Sequence, residues 1–252
     1  KKLILIFETP SAYPFVRSKP DVLINHLIGH ESEGSLLSLL KKENLASELS
    51  VWHESQSFSG AFYTELTLTN SGYDSLDRIY KLFFSYISML KSQGYPKYIF
   101  DEKKSMSDLD FIYREKREGG NFVSRLASRM HMFPAVEIEK YEMTFMEEQA
   151  DAYLQFLSLI EPKSMKVFVL AKDIEGTRVE PYYQCHYHVD QISDWNSFAF
   201  ENCDPLPGLH LPKNNPFIPN SLEFSGSESG TKPIKIVDRE DTFFWYQKDD
   251  TF

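Results

Sequence analysis

Two histidines four residues apart on a helix share a face and can grip a metal, and His26 and His30 have that spacing. Glu31 follows the second histidine, so the stretch reads neither H-E-x-x-H nor H-x-x-E-H, and neither pattern occurs elsewhere in the chain. A third ligand and a general base for a metal-bound water would have to come from distant sequence. Polar helix surface is the expected role. In Cys185-His186-Tyr187-His188 a strand would put Cys185 and Tyr187 on one side and the histidines on the other. Only Asp190 lies near to complete a site, so a surface role is expected there too. Cys203 adjoins Asp204 and Pro205 with no paired histidine to activate it as a nucleophile. Asp101-Glu102 and Glu147-Glu148 are sequence neighbours on helices, where adjacent positions diverge, so neither is an acid/base pair. Arg125 and Arg129 could meet an acidic partner, but a solvated face is the simpler expectation. No catalytic and no metal-ligating residue is assigned in this chain.

The elements that would carry these residues alternate between two periods. Residues 3–7 form a short apolar run, expected as a buried strand. Residues 21–31 and 35–42 are expected as two short helices, with Gly34 allowing the turn between them. Residues 45–54 and 61–70 are expected as antiparallel strands; in the second, Phe62, Thr64, Leu66 and Leu68 alternate with Tyr63, Glu65 and Thr67. Asn70-Ser71-Gly72 should turn the chain into a long helix capped by Asp74 and stopped by Gly94. Its stripe is Leu76, Ile79, Leu82, Phe83, Tyr86, Ile87 and Leu90. Further helices are expected over 97–115, 122–131 and 146–160, and strands over 165–171, 182–188, 234–237 and 242–247. Six of the thirteen prolines fall between Cys203 and Pro233, which marks 203–233 as an extended Pro/Ser/Gly-rich loop. The order predicts an α+β fold, a largely antiparallel sheet covered on one face by helices. Residues 1–252 are expected to form a single domain, with 234–252 as short terminal strands leading to the next one.

Composition excludes several function classes. A net charge of −10 and the absence of a Lys/Arg cluster argue against a nucleic-acid partner. No apolar run approaches the roughly 20 residues of a membrane span. Two cysteines are too few for a disulfide framework and suit a reducing compartment, so a cytoplasmic setting is expected. The chain opens on strand-like residues without Met or a signal pattern, as a piece of something longer would.

The run His26 to Leu49 (HLIGHESEGSLLSLLKKENLASEL) resembles the insulinase (pitrilysin-type) zinc metallopeptidases. The resemblance extends through Tyr95-Pro96-Lys97, Arg129 to Pro134, Lys163 to Thr177, Leu211 to Asn220 and Trp245 to Phe252. It implies a parent with four homologous α+β domains in two bowl-like halves, and zinc on an H-x-x-E-H motif in the first domain. This chain would be the second, non-catalytic domain of the N-terminal half. No cofactor would belong to it; zinc would sit in the preceding domain of the parent. Partners implied are peptide substrates and adjoining domains of the same polypeptide, with a homodimer of the parent as a further option. The resemblance also implies an exosite, where a peptide pairs with an exposed strand edge. Carried over by motif, it comprises His26, Leu27, Gly29 and Glu31, with Leu49, Ser50 and Val51 as the pairing strand. Val51 stands where the family pattern has Gly, and Ser32-Glu33 replaces Gly-Pro. The alternative is a catalytically silent, structural or peptide-binding relative of the same fold.

Overall fold

In the computed structural model, residues 1–115, 118–190, 203–219, 221 and 232–247 are described. Strand β1 (Lys2–Thr9) lies between β3 (Gly60–Leu68) and β4 (Met165–Leu170), antiparallel to both. Strand β2 (Ala46–Ser55) pairs antiparallel with β3, giving a four-stranded sheet of order β2-β3-β1-β4. The alternation read in β3 is realised: Phe62, Thr64, Leu66 and Leu68 are buried, while Tyr63, Glu65 and Thr67 are only partly covered. Strand β1 alternates in phase, burying Leu3, Leu5 and Phe7.

That inner face meets the helices. Helix α1 (Pro20–Ile28) and α2 (Leu36–Lys42) contribute Leu23, Ile24, Leu27, Leu36, Leu37 and Leu40. Helix α3 (Asn70–Tyr73) is a single turn where a plain turn was expected, capped by the Thr69 hydroxyl accepting from Gly72 N–H at 2.9 Å. Helix α4 (Leu76–Gln93) consequently starts later than Asp74, which closes α3 instead of capping α4. Its stripe packs the sheet, with the Phe83 ring stacked on Phe7 at 5.7 Å and Phe84 edge-on to Phe7. The Tyr86 hydroxyl donates to the Leu27 carbonyl at 2.8 Å, tying α4 to α1. Burial pushes this phenol well above the usual tyrosine range. Gly94 ends α4 at φ 68°, a conformation glycine adopts without strain.

Helices α5 (Lys97–Ile112), α6 (Gly119–Arg129), α7 (Ile138–Met143) and α8 (Ala150–Ser158) follow. α8 is shorter than the expected 146–160, because residues 146–149 do not join it. Two-residue strands β5 (Arg178–Val179) and β6 (His186–Tyr187) pair, replacing the longer strand expected over 182–188. Strands β7 (Ile234–Asp238) and β8 (Phe243–Tyr246) form a hairpin.

The proline-rich segment, over its described part 203–219, is laid against the helices. The Ser85 hydroxyl in α4 donates to the Asp204 carbonyl (2.8 Å) and accepts from Leu206 N–H (2.9 Å). Tyr98 of α5 donates to the Pro212 carbonyl, and Glu102 accepts from Asn215 N–H. His210 N–H bonds the Gly34 carbonyl at 3.1 Å, and its ring lies where a Gly34 side chain would begin. Cys203, Leu206, Leu209 and Leu211 add to the rim of the core. Prolines deny this stretch a ladder of its own, so side chains of the helices satisfy its backbone. Over 203–219 the expected extended loop is a strap; residues 220 and 222–231 of that loop lie outside the described residues.

Candidate functional site: the end of α1 and the outer strand β2

Strand β2 is an edge of the sheet: among the described residues only β3 pairs with it. An edge strand presents unpaired N–H and C=O groups alternately along its outer side, a template for another extended chain. Helix α1 ends beside it. A Cβ built on Gly29 would sit 3.7 Å from Val51 Cβ and Cγ2, so the helix end packs directly against the edge strand. Gly29 closes α1 with its N–H on the Asn25 carbonyl at 2.9 Å, and Ser35 caps α2 by accepting from Ser38 N–H. The two helices thus bracket the turn 29–34.

Of the seven residues named from the sequence, Gly29 and Val51 are brought together; the others divide by role. Leu27 is 0% exposed and Leu49 7%, so both side chains face the core, and the Leu27 carbonyl is already taken by Tyr86. A docked peptide could meet only backbone at Leu49. Ser50 is exposed and Val51 half-buried against the core. Glu31 is exposed and stands 3.9 Å from Lys41 of α2. His26 is half-buried and its ring meets that of His30 edge-on at 5.5 Å. Burial, then Lys103 and His30, pulls the His26 pKa down to about 4, so the imidazole is neutral at physiological pH. His30 is lowered in the same direction by burial, partly opposed by Glu31. Its Nδ1 accepts from Ser32 N–H at 3.1 Å and lies 2.9 Å from the Ser32 hydroxyl, so that nitrogen is occupied by the turn.

Three features of this region were not read from the sequence. His53 of β2 has a buried side chain, with Nε2 2.8 Å from Thr9 Oγ1 in β1 and Nδ1 3.4 Å from Asp21 Oδ2 in α1. It bonds the edge strand to the sheet centre and lies beside the helix. Its signal was a polar residue at an inward position of an otherwise apolar alternation. Trp52 stacks on Tyr63 across β2 and β3, rings 5.1 Å apart and 4° from parallel. His210 packing on Gly34 was invisible because the two lie far apart in the chain.

The remaining candidates dissolve into separate contacts. Asp101 pairs with Lys97, Glu102 holds the strap, Glu148 pairs with Lys97 and Glu147 with Arg17. His188 lies 3.1 Å from Asp190, and Cys185 is exposed. The Cys203 thiol is pushed up, chiefly by burial, away from thiolate chemistry. Among the described residues no group of three or more His, Cys, Asp or Glu is placed to hold a metal ion. No helix among them is long and apolar enough to cross a membrane.

Comparison with known proteins agrees with this architecture. Residues 1–107 match the family model for the peptidase M16 inactive domain, and residues 111–252 that for the middle or third domain of peptidase M16. The chain is 29% identical to insulin-degrading enzyme of Drosophila melanogaster over 257 residues, covering all of this chain and 26% of that protein. It is 27% identical to human nardilysin over 260 residues, covering 99% of this chain and 23% of the relative. The chain therefore spans about a quarter of the length of these curated relatives. The crystal structure of pitrilysin superposes with a TM-score of 0.85 at 27% identity, over all of this chain and 27% of that one. Two family models that together cover nearly the whole chain, and a sheet and helix layer that superpose end to end on pitrilysin, place this chain in the peptidase M16 (insulinase) family of metallopeptidases, in its inactive and middle-domain region.

Proposed function

We propose that this chain is a non-catalytic domain of an insulin-degrading-enzyme-like zinc metalloendopeptidase, and that it anchors extended peptides along the outer edge of β2. It would form part of the chamber wall in which the parent degrades peptides. Residues 1–252 act as one unit in this proposal, because β4 lies within the second family match yet pairs with β1 in the first. The observation that carries the anchoring role is the contact of Gly29 with Val51 at the unpaired edge. A glycine there keeps the helix end low, so an incoming backbone meets β2 without a side chain in its path. Val51 occupies part of that space. Exposed Glu31 offers a negative charge to a free α-amino group, screened by Lys41. Hydrolysis would belong to a zinc-bearing domain elsewhere in the parent.

Backbone pairing is separable from side-chain recognition. A labelled decapeptide with a free amino terminus should bind the 252-residue chain, and N-methylation of alternate peptide amides should weaken binding at least about tenfold, since each methyl removes a ladder donor. Equal affinity of the methylated peptide would sink strand pairing. An H-x-x-E-H motif in the coding sequence upstream is the expected companion; a degraded motif would move the proposal to a silent relative.

A further inference from the structure

The outer face of the sheet at β2 differs in chemistry from the face that packs the helices. In register, Glu48, Ser50, Trp52 and Glu54 lie opposite Thr67, Glu65, Tyr63 and Ala61 of β3. Glu48 accepts from the Thr67 hydroxyl at 3.0 Å, and Glu54 accepts from the Trp52 indole N–H at 3.1 Å. Both carboxylates are exposed, and β2 has no Lys or Arg of its own. On this face Lys2 lies two strands inward and is bonded to Glu65. One face of the indole is covered by Tyr63 in a parallel stack at 5.1 Å. Because Tyr63 is the inward cross-strand neighbour, the opposite indole face is turned toward the unpaired edge. A strand added at that edge lies about 4.8 Å away and sends alternate side chains onto the same face, which is the separation at which a third planar group extends the stack.

We propose that this face selects a basic side chain, arginine ahead of lysine, at the position of a docked peptide beside Trp52. The inference rests on the edge-pairing proposal above and names the peptide class it favours. A guanidinium is planar and stacks on an indole, and Glu54, held at the rim of the ring by the indole nitrogen, puts a negative charge beside the stacked cation. An ammonium gains the charge attraction without the stack. A carboxylate at that position meets Glu54 and is rejected.

The test uses C-terminally labelled Thr/Ala decapeptides with a free amino terminus, carrying Arg, Lys, Gln, Leu or Glu at one position moved along the peptide. Binding to the full 252-residue chain is read by fluorescence anisotropy. At one register Arg should exceed Gln by about tenfold, with Lys between and Glu weakest. Trp52→Ile, which stays apolar and strand-favouring but has no ring face, should cut the Arg-to-Gln ratio to about twofold or less. Glu54→Gln should reduce it independently, which keeps the test decisive if the tryptophan variant folds poorly by circular dichroism. Leu binding as tightly as Arg, or a ratio unmoved by both variants, overturns the selection while leaving edge pairing intact. Failure of every peptide to bind, or indifference to backbone N-methylation, overturns edge pairing and the selection with it.

Discussion

His26 shows how placement changes the chemistry of a residue. Its spacing from His30 resembles a metal pair, but burial and Lys103 depress its pKa to about 4, and a half-buried neutral imidazole is what remains. The unfolded chain, with a histidine near 6.5, binds a proton across the window from about 6.5 down to 4 while the folded chain does not. Stability present above pH 6.5 is therefore lost as pH falls through that window. Replacing His26 by Gln should remove this dependence, sparing about 1 kcal/mol at pH 4.5 after allowing for solvent screening of a partly exposed ring. Urea denaturation at pH 7 and pH 4.5 checks it: an unchanged gap between wild type and variant at the two pH values would contradict the assignment.

At the scale of elements, the strap over 203–215 depends on a few donors from the helices. Ser85 is 2% exposed and serves two backbone groups of the strap at once, so Ser85→Ala leaves a carbonyl and an N–H without their partner. A loss of about 1–3 kcal/mol is expected, with faster amide exchange confined to residues 203–211. Exchange rising equally throughout α4 would instead show that Ser85 acts on the helix. The edge strand is held differently, through the His53–Thr9 hydrogen bond, with the His53 ring beside Asp21. The ring thus lies between β2 and α1, the two elements whose juxtaposition makes the proposed docking edge.

For the whole molecule, the family match concerns about a quarter of the curated relatives' length, so peptidase activity is a property proposed for the parent. If catalysis lies elsewhere in that parent, the 252-residue chain should cleave no peptide with or without added zinc. Its melting temperature should also be the same in a chelator and in micromolar zinc, because a folded-state ligand at a hundred times its Kd would add about 2.7 kcal/mol. Zinc-dependent cleavage by the isolated chain would refute this division of labour.

Local pattern alone determined much of the architecture. The two-residue alternation of β3, the apolar stripe of α4 and the stop at Gly94 are short-range consequences of side-chain periodicity and backbone sterics, and they appear where the residues demand. The family resemblance was equally readable, because its motifs are contiguous. Tertiary structure decided everything that depends on distant neighbours: that β2 is an edge of the sheet, as β4 is at the other end, that α1 ends against Val51, and that a proline-rich stretch is a strap fastened at Ser85, Tyr98 and Glu102. It also moved the start of α4 past Asp74, since Thr69 capped a preceding turn first. A strand's period states which side chains share a face, but its neighbours in the sheet are chosen by long-range pairing, and that choice decides whether its backbone is free to bind.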